Sequence, residues 1–148
     1  MTTPPGREPR LGDLIKLTGQ SLAAVQANAL REFDLTVPQY SAMRALSYAP
    51  GVSGAMLARV CLVTPQTMAT VLANLEAKGL IRRNPSPVHQ KVLVIHLTRH
   101  GQALIRKADA KAMAIEAKLD AAYADEERPT FTALLERAVA ALGEAHGG

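Results

Sequence analysis

Apolar residues recur at helical spacing at both ends of the chain. The N-terminal stripe predicts one amphipathic helix over residues 11–33, with the apolar members Leu11, Leu14, Ile15, Leu22, Val25, Ala29, Leu30 and Phe33. A second stripe predicts a long helix that Thr98 caps, with Leu104, Ala108, Ala112, Ile115, Leu119 and Ala122 on one side. A break over residues 125–129 precedes a last helix that carries Phe131, Leu134, Leu135, Ala138 and Leu142. Both ends are therefore predicted to present long apolar faces.

Capping signals predict three shorter helices between these ends. Residues 36–39 (Thr-Val-Pro-Gln) form a capping box with a proline in the first turn, and a Pro-Gly pair ends the helix that they start. Ser53 can cap a helix over residues 54–61. After a two-residue turn, Thr64 caps another helix, which ends at Gly79. Two short helices joined by a tight turn indicate a helix-turn-helix.

The period of the pattern changes after Gly79. Residues 80–83 and 91–97 are β-branched and extended in character, and residues 84–87 (Asn-Pro-Ser-Pro) favour a turn. A β-hairpin that follows a helix-turn-helix is a wing. The predicted fold class is mainly α with a small β-wing: a winged helix-turn-helix flanked by terminal dimerisation helices.

The same pattern predicts the domain organisation. Residues 1–35 form an N-terminal arm and dimerisation helix, residues 36–97 the DNA-binding lobe, and residues 98–148 the C-terminal dimerisation helices. The terminal stripes are longer than a lobe of this size can cover, so we expect them to pack on each other and on a second copy of the chain. A homodimer is predicted.

Composition indicates the cellular location of the protein and the state of its cysteine. The chain has no apolar run long enough for a membrane span and no apolar signal core near its start, so we expect a cytoplasmic protein with no membrane partner. Its single cysteine, Cys61, excludes an internal disulfide. The apolar neighbours of Cys61 favour a core residue over a redox sensor.

Positive charge is concentrated in one third of the chain. The net charge is +4, and residues 51–100 hold six basic residues against Glu76 alone. Such a block is typical either of a polyanion-binding surface or of a solvated face. Aromatic residues make up 3% of the chain and tryptophan is absent, which argues against stacking of unpaired bases.

The fourth helix is the predicted recognition helix. Met68, Val71, Leu72 and Leu75 fall on one face and should be core. The opposite face is small, polar and uncharged, with Gln66, Thr70, Ala73 and Ala77 flanked by Thr67, Ala69 and Asn74. Such side chains suit adenine edges and thymine methyls in a major groove, which favours A·T-rich half-sites. The alternative is an ordinary alanine-rich surface helix.

Phosphate contacts are then expected from cations outside this face. Candidates are Arg82 and Arg83 at the wing base, Lys91 on its return strand, and Arg59 and Lys78 at helix ends. Successive strand residues point to opposite faces, so only one of Arg82 and Arg83 should face DNA, while the other supports the wing.

Several motifs together resemble the MarR (multiple antibiotic resistance regulator) family of transcription factors. They are residues 35–40 (Leu-Thr-Val-Pro-Gln-Tyr), Leu57-Ala58, residues 64–68 (Thr-Pro-Gln-Thr-Met), residues 75–83 (Leu-Glu-Ala-Lys-Gly-Leu-Ile-Arg-Arg) and residues 97–101 (Leu-Thr-Arg-His-Gly). The resemblance covers residues 11–142. It implies an obligate dimer, pseudo-palindromic double-stranded operators, and release of DNA when a small, often aromatic or phenolic, ligand binds.

The wing tip departs from this family, which usually has Asp-x-Arg where this chain has His89-Gln90-Lys91. The ion pair is absent, and lysine lacks the planar fork of arginine, so minor-groove readout is in question. The predicted DNA contacts are Ser53, Thr64, Gln66, Thr67, Thr70, Asn74, Arg82, Arg83, His89, Gln90 and Lys91.

Ligand contacts are predicted at Lys16, Tyr40, Met43 and Arg44, where a cation beside apolar walls suits an aromatic carboxylate. The alternative is that Tyr40 and Met43 are core and that Arg44 is a surface charge.

No catalytic constellation, nucleophile elbow or phosphate loop is present, so no enzyme activity and no cofactor are predicted. His89, His96 and His100 lack nearby acidic or cysteine partners, and no metal site is predicted.

Two functions follow. The leading hypothesis is a dimeric, sequence-specific, double-stranded DNA-binding regulator, a repressor that a small ligand releases. The alternative is a dimeric ligand-binding or protein-interaction module of the same fold with weak or lost specific DNA binding.

Overall fold

The computed structural model describes residues 6–143. Residues 1–5 of the predicted N-terminal arm and residues 144–148 of the predicted C-terminal segment lie outside this range. The elements in chain order are α1 (Leu11–Leu30), a 3₁₀ helix (Arg31–Phe33), α2 (Val37–Tyr48), α3 (Gly54–Val60), α4 (Pro65–Ala77), β1 (Ile81–Pro85), β2 (Leu93–Leu97), α5 (Arg99–Ala121) and α6 (Glu127–Leu142). The chain divides into two compact units, one ending at Ala112 and one starting at Met113.

The predicted caps are confirmed. At the start of α2, Thr36 Oγ1 accepts from the Gln39 backbone N–H at 3.2 Å, and Gln39 Oε1 accepts from the Thr36 N–H at 3.1 Å. Ser53 Oγ accepts from the Met56 N–H at 3.2 Å at the start of α3. These hydroxyls satisfy backbone donors that have no partner inside the helix.

Several element boundaries differ from the prediction; β1, for example, runs from Ile81 to Pro85 and so includes Asn84 and Pro85, which the sequence assigns to the turn. The first helix ends at Leu30 and continues only as a 3₁₀ turn, because Asp34 then adopts a left-handed conformation with φ 53°. Strand β2 starts at Leu93 rather than Lys91. Helix α6 starts at Glu127, inside the predicted break over residues 125–129, because a proline such as Pro129 is tolerated in the first helical turn.

The wing loop explains the late start of β2. Ser86 Oγ accepts from the N–H groups of Val88 and His89, each at 3.2 Å. The Val92 N–H in turn donates to the His89 carbonyl at 2.9 Å. The loop therefore closes on its own hydrogen bonds, and Lys91 lies in the turn rather than in the ladder.

The core lies in the first unit, where α2, α3 and α4 pack with the wing. Its largest fully buried side chains are Leu30, Met43, Leu46, Leu57, Met68, Leu75, Leu80 and Ile95. The strands pair antiparallel with Ile81 opposite Leu97, and Val52 adds a bridge to Ile95. Helix α5 contributes Ile105 and Ala108 to the same core, so one apolar cluster joins the helix-turn-helix, the wing and the start of α5.

The wing and α5 meet at a close backbone junction. Thr98 Oγ1 donates to the Gly79 carbonyl at 2.7 Å and accepts from the Gly101 N–H at 3.0 Å. The Thr98 N–H donates to the Leu80 carbonyl at 3.0 Å. A Cβ on Gly101 would lie 2.1 Å from the Leu80 carbonyl oxygen. Only glycine therefore allows α5 to approach the Leu80 carbonyl, between α4 and β1, this closely.

A second tie holds the other side of α4. The Lys78 ammonium donates to the Asp34 carbonyl oxygen and, at 3.2 Å, to Gln39 Oε1. It also lies 3.5 Å from a carboxylate oxygen of Asp34. Because Gln39 is buried, these contacts fix the C-terminal end of α4 against the start of α2.

The second unit contains the end of α5 and all of α6. Glu127 Oε2 accepts from the Ala124 N–H at 2.9 Å, and the Arg128 guanidinium contacts Asp120 at 2.6 Å. The rings of Tyr123 and Phe131 stack with their centroids 4.9 Å apart. Helix α6 has no buried residue of its own, so its apolar stripe is open.

Within residues 6–143, no single helix is long and apolar enough to cross a membrane, and only α3 and α4 taken together, across a 111° bend, meet that test of length and composition.

We predict that Gly101→Ala lowers the free energy of unfolding by about 2–3 kcal/mol, because the added methyl group must displace the Leu80 carbonyl and the backbone around it. Gly12→Ala is the control. Gly12 lies in α1, where an added Cβ would meet no neighbouring atom within 4 Å, and alanine favours helix. Chemical denaturation followed by circular dichroism measures both. Equal stability of the two variants would contradict the close approach.

Candidate nucleic-acid interface and ligand cavities

Helix α4 presents the uncharged face that its periodicity predicts. Met68, Val71, Leu72 and Leu75 are buried. Gln66, Thr67, Thr70, Ala73, Asn74 and Ala77 are exposed. The exposed side chains combine amide and hydroxyl groups with methyl groups and include no charge. The face is therefore suited to hydrogen bonding and van der Waals contact rather than to charge pairing.

Some of the predicted contact residues also act inside the protein. Thr64 Oγ1 accepts from the Thr67 N–H at 3.1 Å and donates to Thr67 Oγ1 at 2.9 Å. Thr70 Oγ1 donates to the Gln66 carbonyl at 3.3 Å. Ser53 caps α3 and is half-buried. Gln66 and Asn74 have no such role among the described contacts, so their amides are the groups on this face best placed to meet a ligand.

The two arginines at the wing base have different surroundings. Arg83 is half-buried, and its Nε lies 3.2 Å from a carboxylate oxygen of Glu76 on α4. The N–H is not aimed at that oxygen, so the attraction is electrostatic rather than a hydrogen bond. Arg82 is exposed and has no ion pair within residues 6–143. Arg83 thus supports the wing against α4, while Arg82 stays available.

The wing tip is open to solvent. His89, Gln90 and Lys91 are all exposed, and no acidic side chain of the described residues pairs with Lys91. Lys78 differs, because it is held by Asp34 and Gln39. Of the cations predicted to meet phosphate, Lys78 and Arg83 therefore both take part in holding the fold.

A cavity of about 350 Å³ opens between α1, α2 and α3 and is called the helical cavity here. It is lined by Gln26, Tyr40, Ser41, Arg44, Ala45, Tyr48, Val60 and Cys61. The Arg44 guanidinium lies 5.6 Å from the centroid of the Tyr48 ring, a cation–π distance. The cavity combines one cation, two phenol rings and apolar walls.

Asp109 of α5 contacts two side chains of this cavity. The Tyr40 hydroxyl donates to Asp109 Oδ1 at 2.7 Å, and Arg44 Nε lies 3.9 Å from the same oxygen. Burial raises the pKa of Tyr40, and the hydrogen bond to Asp109 raises it further. Tyr40 therefore stays a neutral donor, and the long Arg44–Asp109 separation leaves the guanidinium able to bind another anion.

The other two predicted ligand residues lie elsewhere. Met43 is fully buried in the core, and Lys16 lines neither this cavity nor the one described next. The lining of the cavity instead includes Gln26, Tyr48 and Cys61, which were not predicted from the sequence as ligand contacts. Gln26 and Tyr48 share helices with Lys16 and Tyr40, so only the helix packing distinguishes them.

A second cavity, of about 340 Å³, lies at the base of the wing and is called the wing-base cavity. It is lined by Leu46, Ser47, Pro50, Arg82, His96, Leu97, Gln102, Ile105 and Arg106. Sequence reasoning missed it because α2, both strands and α5 each contribute only a few residues. The pairing of Arg82 with His96 across the hairpin is the one signal that was available.

The other candidates from the sequence are the thiol of Cys61 and the histidines. Cys61 is half-buried at the end of α3, and burial raises the pKa of its thiol, which disfavours the reactive thiolate. Within residues 6–143, no three His, Cys, Asp or Glu side chains come together as metal ligands.

Comparison with known proteins agrees with this architecture. A family model described as the MarR family matches residues 33–91. The HTH-type transcriptional repressor Rv2887 of Mycobacterium tuberculosis is 37% identical over 127 residues, which cover 86% of this chain and 91% of that protein.

Solved structures give the same result. A structure of the M. tuberculosis protein in complex with DNA has a TM-score of 0.70 and 35% identity, and the match covers 88% of this chain and 98% of that one. A structure of it with p-aminosalicylic acid has a TM-score of 0.69 and 36% identity, covering 87% and 98%. The chain belongs to the MarR family of winged helix-turn-helix transcriptional regulators.

Proposed function

We propose that this chain is a dimeric repressor that binds a pseudo-palindromic double-stranded operator and leaves it when a small aromatic acid binds. One observation carries the DNA-binding part: α4 exposes a capped, uncharged Gln/Thr/Asn face next to a wing that exposes the cations Arg82 and Lys91. The DNA complex of the M. tuberculosis relative supports the same assignment.

The α4 face and the surrounding cations have separate tasks in this proposal. Gln66 and Asn74 pair with base edges, most favourably adenine, and the threonine and alanine methyls contact thymine methyls. Arg82, Lys91 and Arg59 are exposed and bind phosphates, which sets affinity and its salt dependence. Arg83 contributes indirectly by holding the wing against α4.

A mobility-shift experiment against the DNA upstream of the gene, repeated across a salt series, tests the proposal. We expect one preferred site and a steep loss of affinity with salt. No shift at low salt would instead favour the alternative, a dimeric ligand-binding or interaction module. The exposed His89-Gln90-Lys91 tip, which has lost the family's Asp-x-Arg pair, is the specific observation that supports this alternative.

Two variants separate base readout from phosphate binding. Asn74→Ala should weaken operator binding about 5–100-fold while leaving the salt slope unchanged, because it removes a base contact. Lys91→Ala should weaken binding to all sequences and reduce the salt slope by about one. Lys107→Ala, an exposed cation on α5, serves as the control and should change neither quantity. A Lys91 variant with the wild-type slope would show that the wing tip makes no phosphate contact.

Dimerisation is supported by the apolar surface that each unit leaves open. In α1, Leu11 is 77% exposed, and in α6 Val139 is 70% and Leu142 64% exposed. A 16-residue helix with an apolar stripe and no buried residue is poorly stabilised alone in water. A second copy of the chain that covers these residues removes the exposed apolar surface.

We predict that Leu135→Asp converts the dimer to a monomer and abolishes operator binding, because a carboxylate cannot be buried in an apolar interface at acceptable cost. Arg137→Asp is the control, since Arg137 lies about 200° around α6 from Leu135. Light scattering after gel filtration measures the mass. The melting temperature of the wild type should also rise with protein concentration. A Leu135 variant that remains dimeric would exclude α6 from the interface.

The helical cavity is the proposed site for the aromatic acid. Arg44 can bind a carboxylate with a charge-assisted hydrogen bond, and Tyr48 supplies an aromatic wall. The M. tuberculosis relative has been crystallised with salicylic acid and with p-aminosalicylic acid, which are molecules of this chemistry. Asp109 opposes binding, because its carboxylate lies next to Arg44 and has the same negative charge as the carboxylate of the ligand.

We predict that Arg44→Gln weakens salicylate binding at least about tenfold, since a charged hydrogen bond contributes about 1.5–3 kcal/mol. Asp109→Asn should tighten binding, because asparagine keeps an acceptor for Tyr40 and removes the competing charge. Lys107→Gln, which lines neither cavity, should have no effect. Isothermal titration calorimetry measures all three. Unchanged affinity in Arg44→Gln would exclude the helical cavity as the site.

A further inference from the structure

The wing-base cavity is lined by three basic side chains from three different elements. Arg82 comes from β1, His96 from β2 and Arg106 from α5. Among residues 6–143, no acidic residue lines it. Leu46, Pro50, Leu97 and Ile105 form its apolar wall, and Ser47 and Gln102 add neutral polar groups. Cations around an apolar wall are the pattern expected of a site for an organic anion.

Within residues 6–143, the cations of the first unit include a group with ion pairs and a group without, and the second group contains both arginines of this cavity along with exposed cations such as Arg59 and Lys107. Arg44, Lys78, Arg83 and Lys111 each pair with a carboxylate of the chain. Arg82 and Arg106 have no such partner within residues 6–143, although they line one cavity. Like charges around one cavity repel each other, and a bound anion would turn that repulsion into attraction.

His96 provides a second, independent observation. Its Nδ1 is buried and has no hydrogen-bond partner among the described residues. A buried polar atom without a partner costs free energy, and native proteins rarely leave one. His96 Nε2 lies close to Gly51: a Cβ on this glycine, whose φ is 80°, would lie 3.1 Å from that nitrogen. Because Nδ1 is closed to solvent, a ligand in the cavity would give it a hydrogen-bond partner by turning the imidazole toward the cavity.

We propose that the wing-base cavity binds a small dicarboxylic acid with a compact apolar body. Each guanidinium can hold one carboxylate through paired N–H donors, and the leucine and isoleucine side chains contact the body between them. A volume of about 340 Å³ is at the small end of ligand sites, which excludes large ligands. The site is separate from the helical cavity, whose lining has one cationic side chain among the described residues, that of Arg44.

A ligand here would act directly on the wing. Arg82 and His96 face each other across the hairpin, so a molecule that contacts both bridges the two strands at their base. It would also occupy Arg82, a side chain that the proposed function assigns to phosphate binding. This regulatory consequence rests on the proposed function, whereas binding of the acid does not.

Calorimetry without DNA tests the binding on the full chain carrying Arg44→Gln, which removes the cation of the helical cavity, where the proposed function places aromatic acids. Phthalate is the dicarboxylate probe, and benzoate and inorganic phosphate are the comparisons. We expect phthalate to bind at least tenfold more tightly than either. Arg106→Gln should weaken phthalate at least tenfold, and Arg82→Gln combined with Arg106→Gln should abolish binding. Lys107→Gln on the same helix should remain within twofold of this parent chain.

A histidine-labelled NMR spectrum locates the ligand independently. Phthalate should shift the imidazole signals of His96 and leave those of His89, on the exposed wing tip, unchanged. Absence of phthalate binding in the Arg44→Gln parent chain would overturn the proposal, as would unchanged binding when Arg106→Gln is added to it. Phosphate that binds as tightly as phthalate would also overturn it, because the apolar wall would then contribute nothing. Failure of the operator shift leaves these measurements unaffected, so the two proposals fail separately.

Discussion

The close approach of α5 to the Leu80 carbonyl is the constraint on which the rest of the DNA-binding unit depends. It requires glycine at position 101, and it is held by Thr98, whose hydroxyl joins the Gly79 carbonyl to the Gly101 N–H. The end of α4, the start of β1, the end of β2 and the start of α5 meet at this point. A shift here would move the recognition helix relative to the wing.

Charge in this protein is divided between holding the fold and meeting partners. Lys78 holds the C-terminal end of α4 through its ion pair with Asp34. Arg83 holds strand β1 against α4 through its ion pair with Glu76. Arg82 and Lys91 lie near them in sequence, but the part of the chain that the structure describes offers them no carboxylate. The basic block of residues 51–100 is therefore two sets of cations with different functions, which its net charge alone does not distinguish.

Helix α2 connects the two cavities. Tyr40 and Arg44 line the helical cavity, and Leu46 and Ser47 line the wing-base cavity. Ala42 and Met43 of this helix are fully buried and belong to the same core as α4 and the wing. Because the helix is rigid and its buried face is packed, a ligand bound in either proposed site would act on the position of α4 through the same element.

The sequence by itself determined the elements, their caps and the two faces of α4, because capping hydrogen bonds and helical periodicity join residues only a few positions apart. It also indicated the family, from motifs at matching spacing. The tertiary structure decided which cations are available, since Lys78 meets Asp34 across 44 positions of sequence. It also places Tyr48 and Gln26 in the lining of the helical cavity, where Met43 and Lys16 were expected. It places Arg106 and Arg82 in the lining of one cavity, at the base of the wing. Such pairings depend on chain reversals that no local pattern encodes.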